Sequence, residues 1–256
     1  MKLQLLPSTF DGAGPSLRQH LTCFVIDDSV AIDAGSLAMA VNPLQQSQIR
    51  NIVLTHAHLD HIAGLPLFID DLFSTLTEPI TVHATQTVID TLERDIFNWS
   101  VYPRFSELSN ANGPVLRYES FGQAEEFTVR NLTLRAVEVN HKVPSTGFLI
   151  SDTKTTIALS GDTAGTEGFW TLVNAADVMS AILVECAFPD ELDELAVVSH
   201  HLTPRLMASE LEKCERDCPV YVVNLKPMFR VQIVDQVARL NLKGVTILEV
   251  GKAYEW

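Results

Sequence analysis

The densest chemistry in this chain lies in six consecutive positions, His56-Ala57-His58-Leu59-Asp60-His61. Three of its 8 histidines fall there, with a carboxylate among them. Imidazole and carboxylate are the donors that Zn²⁺, Mn²⁺ and Fe²⁺ accept. His56 and His58 are two apart, so both can point to one side of an extended loop. Asp60 and His61 follow one short step later and can face a second ion. Bound there, divalent metals would supply activated water and charge neutralisation for hydrolysis.

Such a cluster needs a rigid frame. Residues 49–54 are apolar and β-branched, as in a buried strand, and residues 62–68 open an apolar helix. The histidines thus occupy a strand-to-helix turn, where open sheets place ligand sites. Upstream, strands are expected at residues 3–6, 21–26 and 29–33, with a loop at 7–16 holding two Gly and two Pro. A strand at 80–84 and a helix at 85–97 complete a first half. His83, ending that strand, reads as a hydrogen-bonded structural histidine. The aromatic run at 97–103 suits either packing or stacking on a base.

A second half opens near Leu116, with strands at 132–139, 147–150, 156–160, 181–185, 220–224 and 245–250. Thr203-Pro204 is an N-cap and first-turn pair for a helix over 203–217, and a helix follows at 231–240. His141, Asp162, Glu185 and Asn224 each end or follow one of these strands. His201 lies in the string His200-His201-Leu202-Thr203-Pro204, and Lys226 follows Asn224 by two positions.

The string from His56 to Leu65, with Thr55 and a hydrophobic strand before it, resembles the metallo-β-lactamase fold superfamily. Within that superfamily it is similar to the class II 3′,5′-cyclic-nucleotide phosphodiesterase family. The resemblance implies an α/β fold, a four-layer αββα sandwich in one domain, 1–256, with βα halves of roughly 1–115 and 116–256. It implies two divalent metal ions. His56, His58 and His141 would form site one, Asp162 would bridge, and Asp60 and His61 would hold site two. Asp33 would support the metal loop without binding metal.

Relatives place a histidine before x-Lys-Pro as the last ligand, where this chain has Asn224-Leu225-Lys226-Pro227. An amide oxygen is a weaker, harder donor than imidazole. Zinc is therefore expected at site one, with zinc, manganese, iron or magnesium at site two. Glu185 and His201 map onto a proton-donating pair, with His201 also in reach of a phosphate oxygen and Lys226 offsetting phosphate charge. Asp60 would orient a metal-bridging hydroxide. The implied reaction hydrolyses 3′,5′-cyclic nucleotides (cAMP, cGMP) to nucleoside 5′-monophosphates. The alternatives are a ribonuclease Z-like phosphodiesterase, a lactonase, a metal-dependent redox or sulfur enzyme reusing the ligands with iron, or a weakened-site cyclic-nucleotide-binding protein.

Composition bounds these readings. The chain has 256 residues, 46% hydrophobic, enough for a substantial core. A formal net charge of −14 argues against a large nucleic-acid footprint, which needs clustered Lys and Arg, though not against a small phosphate substrate. No stretch approaches the roughly 18–20 apolar residues of a membrane span. The expected setting is cytoplasmic, or periplasmic had a signal peptide been removed, and a homodimer is the default assembly. Cys23 and Cys186 read as buried thiols, and Cys214 and Cys218 as a pair that could bridge or bind metal.

Overall fold

The computed structural model describes residues 1–12 and 14–256. It contains two compact units, one made of Met1–Ser16, His20–Gly122 and Val250–Glu255, the other of Leu17–Gln19, Gln123–Glu249 and Trp256. Each unit is built around one seven-stranded sheet.

In the first unit the strand order is Leu116–Ser120, Ile80–Ala84, Asn51–Val53, Val30–Ile32, Phe24–Ile26, Lys2–Leu5, Ala253–Glu255. The strands from Val30 to Ser120 run parallel, and the other three pair antiparallel. Ile80–Ala84 is buried at every position, as a parallel strand covered on both faces must be. Phe68, Leu65 and Ile69 of the helix Gly64–Leu72 pack in its core with Ile52, Val82, Phe97 and Phe105.

The second sheet runs Glu126–Val129, Leu132–Val139, Ser145–Ser151, Thr156–Leu159, Ala181–Glu185, Val220–Val223, Val245–Ile247. The first four strands form an antiparallel meander and the last four pair in parallel. The strand Leu132–Val139 alternates between buried and more open positions over residues 132–137, as its sequence predicts for a one-sided strand. Phe169 and Trp170 of the helix Glu167–Ala175 and Ile233 and Val237 of Arg230–Leu240 cover the sheet.

Several boundaries differ from expectation. Leu116–Ser120 does not open the second half. It pairs in parallel with Ile80–Ala84, so the division falls at Gly122 and Gln123 instead of at 115. The helix expected over 85–97 is α-helical over Gln86–Thr91 and widens into a π-helical turn at Leu92–Ile96. The helix at Pro204 has its predicted Thr203 cap but stops at Leu211, where the last turn tightens as the Lys213 N–H donates to the Glu210 carbonyl and the Cys214 N–H to the Leu211 carbonyl. The loop at 7–16 contains a ribbon of Phe10–Asp11 on Gly14–Pro15, and its position 13 lies outside the described residues. Ala253–Glu255 was not foreseen: it pairs with Lys2–Leu5 across nearly the whole chain length, and nothing local marks it. Among the described residues, no helix is long and apolar enough to cross a membrane.

Candidate functional site

The histidine loop leaves the sheet at Val53 and is held by one buried carboxylate. Asp33, 1% exposed and at φ 59, accepts from the Thr55 backbone N–H at 2.9 Å and from the Thr55 hydroxyl. His61 Nδ1–H donates to the same carboxylate at 2.7 Å. The Thr55 oxygen in turn lies 3.0 Å from His56 Nδ1 and can accept its proton. Both rings are thereby fixed with Nε2 as the nitrogen for a metal, the arrangement that orients metal-binding histidines.

The ring centroids of His56 and His58 lie 4.7 Å apart, and those of His56 and His61 4.2 Å apart, so one loop brings three imidazoles together. Gly35 makes this possible. A Cβ there would lie 2.0 Å from the Asp60 carbonyl oxygen, which accepts from the Thr22 N–H. Asp60 is half-buried in the first turn of the helix Leu59–Ile62.

The second unit gathers its own set. His141 follows the strand Leu132–Val139, Asp162 follows Thr156–Leu159 through Gly161 at φ 62, and Glu185 ends Ala181–Glu185. One ligand atom each from His141, Asp162 and His201 lie within 4.8 Å of one another. His141 Nδ1–H donates to the His200 carbonyl at 3.0 Å. His201 Nδ1–H donates to Glu185 Oε1 at 2.7 Å. The same oxygen accepts from the Thr163 N–H at 2.8 Å, which ties the dyad to the loop carrying Asp162.

Glu185 is fully buried. Burial alone would pull the His201 imidazole down, but the Glu185 carboxylate, with Asp162 adding to it, raises it above its ordinary value. Lys226 is half-buried, and its charge acts on His201 in the opposite direction.

Asn224, expected as a ligand, stands at φ 60 and donates its amide N–H to Asp162 Oδ1. That hydrogen bond uses the amide nitrogen, whereas a metal would be met by the amide oxygen. His83 is structural: it is buried, with Nε2 3.0 Å from Asn51 Oδ1 and Nδ1 3.4 Å from Glu119. In the aromatic run, Phe97 is core and Trp99 is 57% exposed. All four cysteines are free thiols. Sequence reasoning missed Thr55 as the link to His56, Ser160, whose hydroxyl accepts the Glu185 N–H at 3.1 Å, and the His200 carbonyl. Only Thr55, beside the motif, carried a local signal.

The donor set fits divalent metal: His56 and His61 are buried with Nδ1 anchored, and His141 is half-buried with its Nδ1 held by the His200 carbonyl. His56, His58, Asp60 and His61 are the candidate donors of the first unit, and His141 and Asp162 those of the second.

Comparison with known proteins agrees. The profile of the beta-lactamase superfamily domain matches residues 24–222, and the chain belongs to that superfamily. It is therefore a metallo-β-lactamase-fold hydrolase, and the αββα fold expected from the motifs is the fold of its relatives. A probable 3′,5′-cyclic-nucleotide phosphodiesterase of Yersinia pestis is 25% identical over 209 residues, covering 72% of this chain and 59% of the relative. The chain thus spans about three fifths of that relative's length. A nuclear ribonuclease Z of Triticum aestivum is 29% identical over 142 residues, covering 55% of this chain and 74% of the relative. The crystal structure of unliganded yeast PDE1 superposes with a TM-score of 0.79 at 18% identity, covering 98% of each chain.

Proposed function

We propose that this protein hydrolyses 3′,5′-cyclic nucleotides to nucleoside 5′-monophosphates. The observation that carries the phosphodiester reading is the buried Glu185–His201 pair, hydrogen-bonded at 2.7 Å beside Asp162 and His141. A hydrolase acting on a phosphodiester must protonate a leaving alkoxide, and a carboxylate-held imidazole is suited to that. The similarity to curated cyclic-nucleotide phosphodiesterases, and an acidic chain of net charge −14, favour a small cyclic substrate over RNA.

In this reading His56, His58 and His141 would hold one divalent ion, Asp60 and His61 the other, with Asp162 available to both. Zinc suits the all-histidine set, and zinc, manganese, iron or magnesium the second. The ions would acidify water and neutralise phosphoryl charge. Asp33 and Thr55 hold the histidine rings. Asp60 orients the attacking water. His201 gives the Nε2 proton to the ribose 3′-oxygen as its bond to phosphorus breaks, while Glu185 holds Nδ1. Lys226 offsets phosphate charge.

The test is product analysis by chromatography of cAMP and cGMP incubated with metal-loaded protein. The expected result is the 5′-monophosphate, lost in His58→Ala. A metal-loaded protein that leaves both substrates intact refutes the reading. The relative from Triticum aestivum supports a second one, a ribonuclease Z-like phosphodiesterase, so a 3′-extended tRNA belongs in the same panel.

A further inference from the structure

We propose that the cavity beside His201 is the subsite for the base of the nucleotide, an assignment that rests on the phosphodiesterase reading above. The cavity lies wholly within the second unit and measures about 320 Å³. That is at the low end of small-molecule sites, roughly 300–1,000 Å³, and leaves room for a planar ring system. Its walls are Val197 of the helix Asp193–Ser199, Leu202, and Leu206 of the helix Pro204–Leu211, with Ser209 from the latter helix. His201 itself forms part of the lining. A substrate whose leaving oxygen meets His201 must carry its sugar and base into adjoining space, and this cavity adjoins.

The chemistry of the lining fits a heteroaromatic ring. Aliphatic walls accept its faces, and an imidazole can stack on it. His200 offers that imidazole in a fixed pose. It sits in the left-handed region at φ 57, where it ends the helix, and its Nδ1–H donates to Asn140 Oδ1 at 2.9 Å. Asn140 is in turn anchored through its amide N–H to the Gly165 carbonyl at 3.0 Å. The His200 carbonyl is the group that holds His141, so one residue shapes both the cavity and a candidate metal ligand. Ser209, exposed on its helix, leaves a hydroxyl for the polar edge of a base.

The experiment is calorimetric titration of the metal-loaded protein with adenosine 5′-monophosphate, guanosine 5′-monophosphate and ribose 5-phosphate. It is repeated on Ser209→Trp and on Val197→Trp, which fill the cavity from two exposed walls outside the catalytic machinery. Wild-type protein should bind a nucleotide at least tenfold more tightly than ribose 5-phosphate. Either variant, with an unchanged melting temperature, should lose that advantage and keep its affinity for ribose 5-phosphate. A nucleotide advantage that survives in a folded variant places the base elsewhere and overturns the proposal. So does a wild-type protein that binds all three equally. Failure to bind any of the three, with metal present, also overturns the proposal, while turnover of cAMP and cGMP decides the phosphodiesterase reading separately.

Discussion

Thr55 shows how much of the site depends on one small hydroxyl. It donates to Asp33 while its oxygen stands 3.0 Å from His56 Nδ1, so it relays the carboxylate's hold to a second ring. Thr55→Val keeps the shape and removes the relay. Metal affinity should fall roughly 10- to 100-fold while the fold persists, as read by competition with a chromophoric chelator. Equal affinity would show that packing alone orients His56.

His83 gives a pH prediction away from the metal loop. Burial holds its imidazole below the ordinary value, against the opposing pull of Glu119. The unfolded chain therefore binds a proton that the folded one refuses. Stability from this residue is full above the unfolded value of about 6.5 and is lost as pH falls through it and on toward the folded value. His83→Gln, which can still hydrogen-bond Asn51, should flatten the urea-midpoint profile between pH 7 and 5. An unchanged slope would assign that pH dependence to other groups.

Among the elements, the helix Pro204–Leu211 governs the loop that carries Asp162. Glu210, buried at 7% exposure, accepts from the Thr166 N–H at 3.0 Å and from Trp170 Nε1–H at 2.9 Å. It also pairs with Lys213 at 2.7 Å. Glu210→Ala would leave two donors without this acceptor, at about 1–3 kcal/mol each. A loss of several kcal/mol in chemical denaturation is expected, with Glu210→Gln losing less because its carbonyl can still accept. Equal losses in the two variants would mean that shape, not hydrogen bonding, matters here. The cap of this helix was legible in Thr203-Pro204 because capping is local. Its end was not, since Leu211 and Glu212 carry no stop signal.

For the whole molecule, metal binding should appear as stability. Ions held by the folded chain and not by the unfolded one add on the order of 2.7 kcal/mol at a hundredfold excess over their dissociation constant. Dialysis against a chelator should therefore lower the melting temperature, and zinc should restore it. A melting temperature indifferent to chelator would contradict the metal assignment for both donor sets.

The sequence by itself determined the histidine loop and its strand-to-helix setting, whereas His141, Asp162, Glu185 and His201 became candidates through the resemblance to the metallo-β-lactamase fold superfamily. Metal donors need particular atoms at short spacing, and apolar periodicity marks buried strands. Three things were decided only by tertiary structure. Leu116–Ser120 joined the first sheet because pairing depends on which strand edge is open, which spacing does not encode. Ala253–Glu255 found Lys2–Leu5 for the same reason. Asn224 turned its amide N–H to Asp162 because a left-handed backbone at φ 60 and a carboxylate 62 positions away in sequence set its direction.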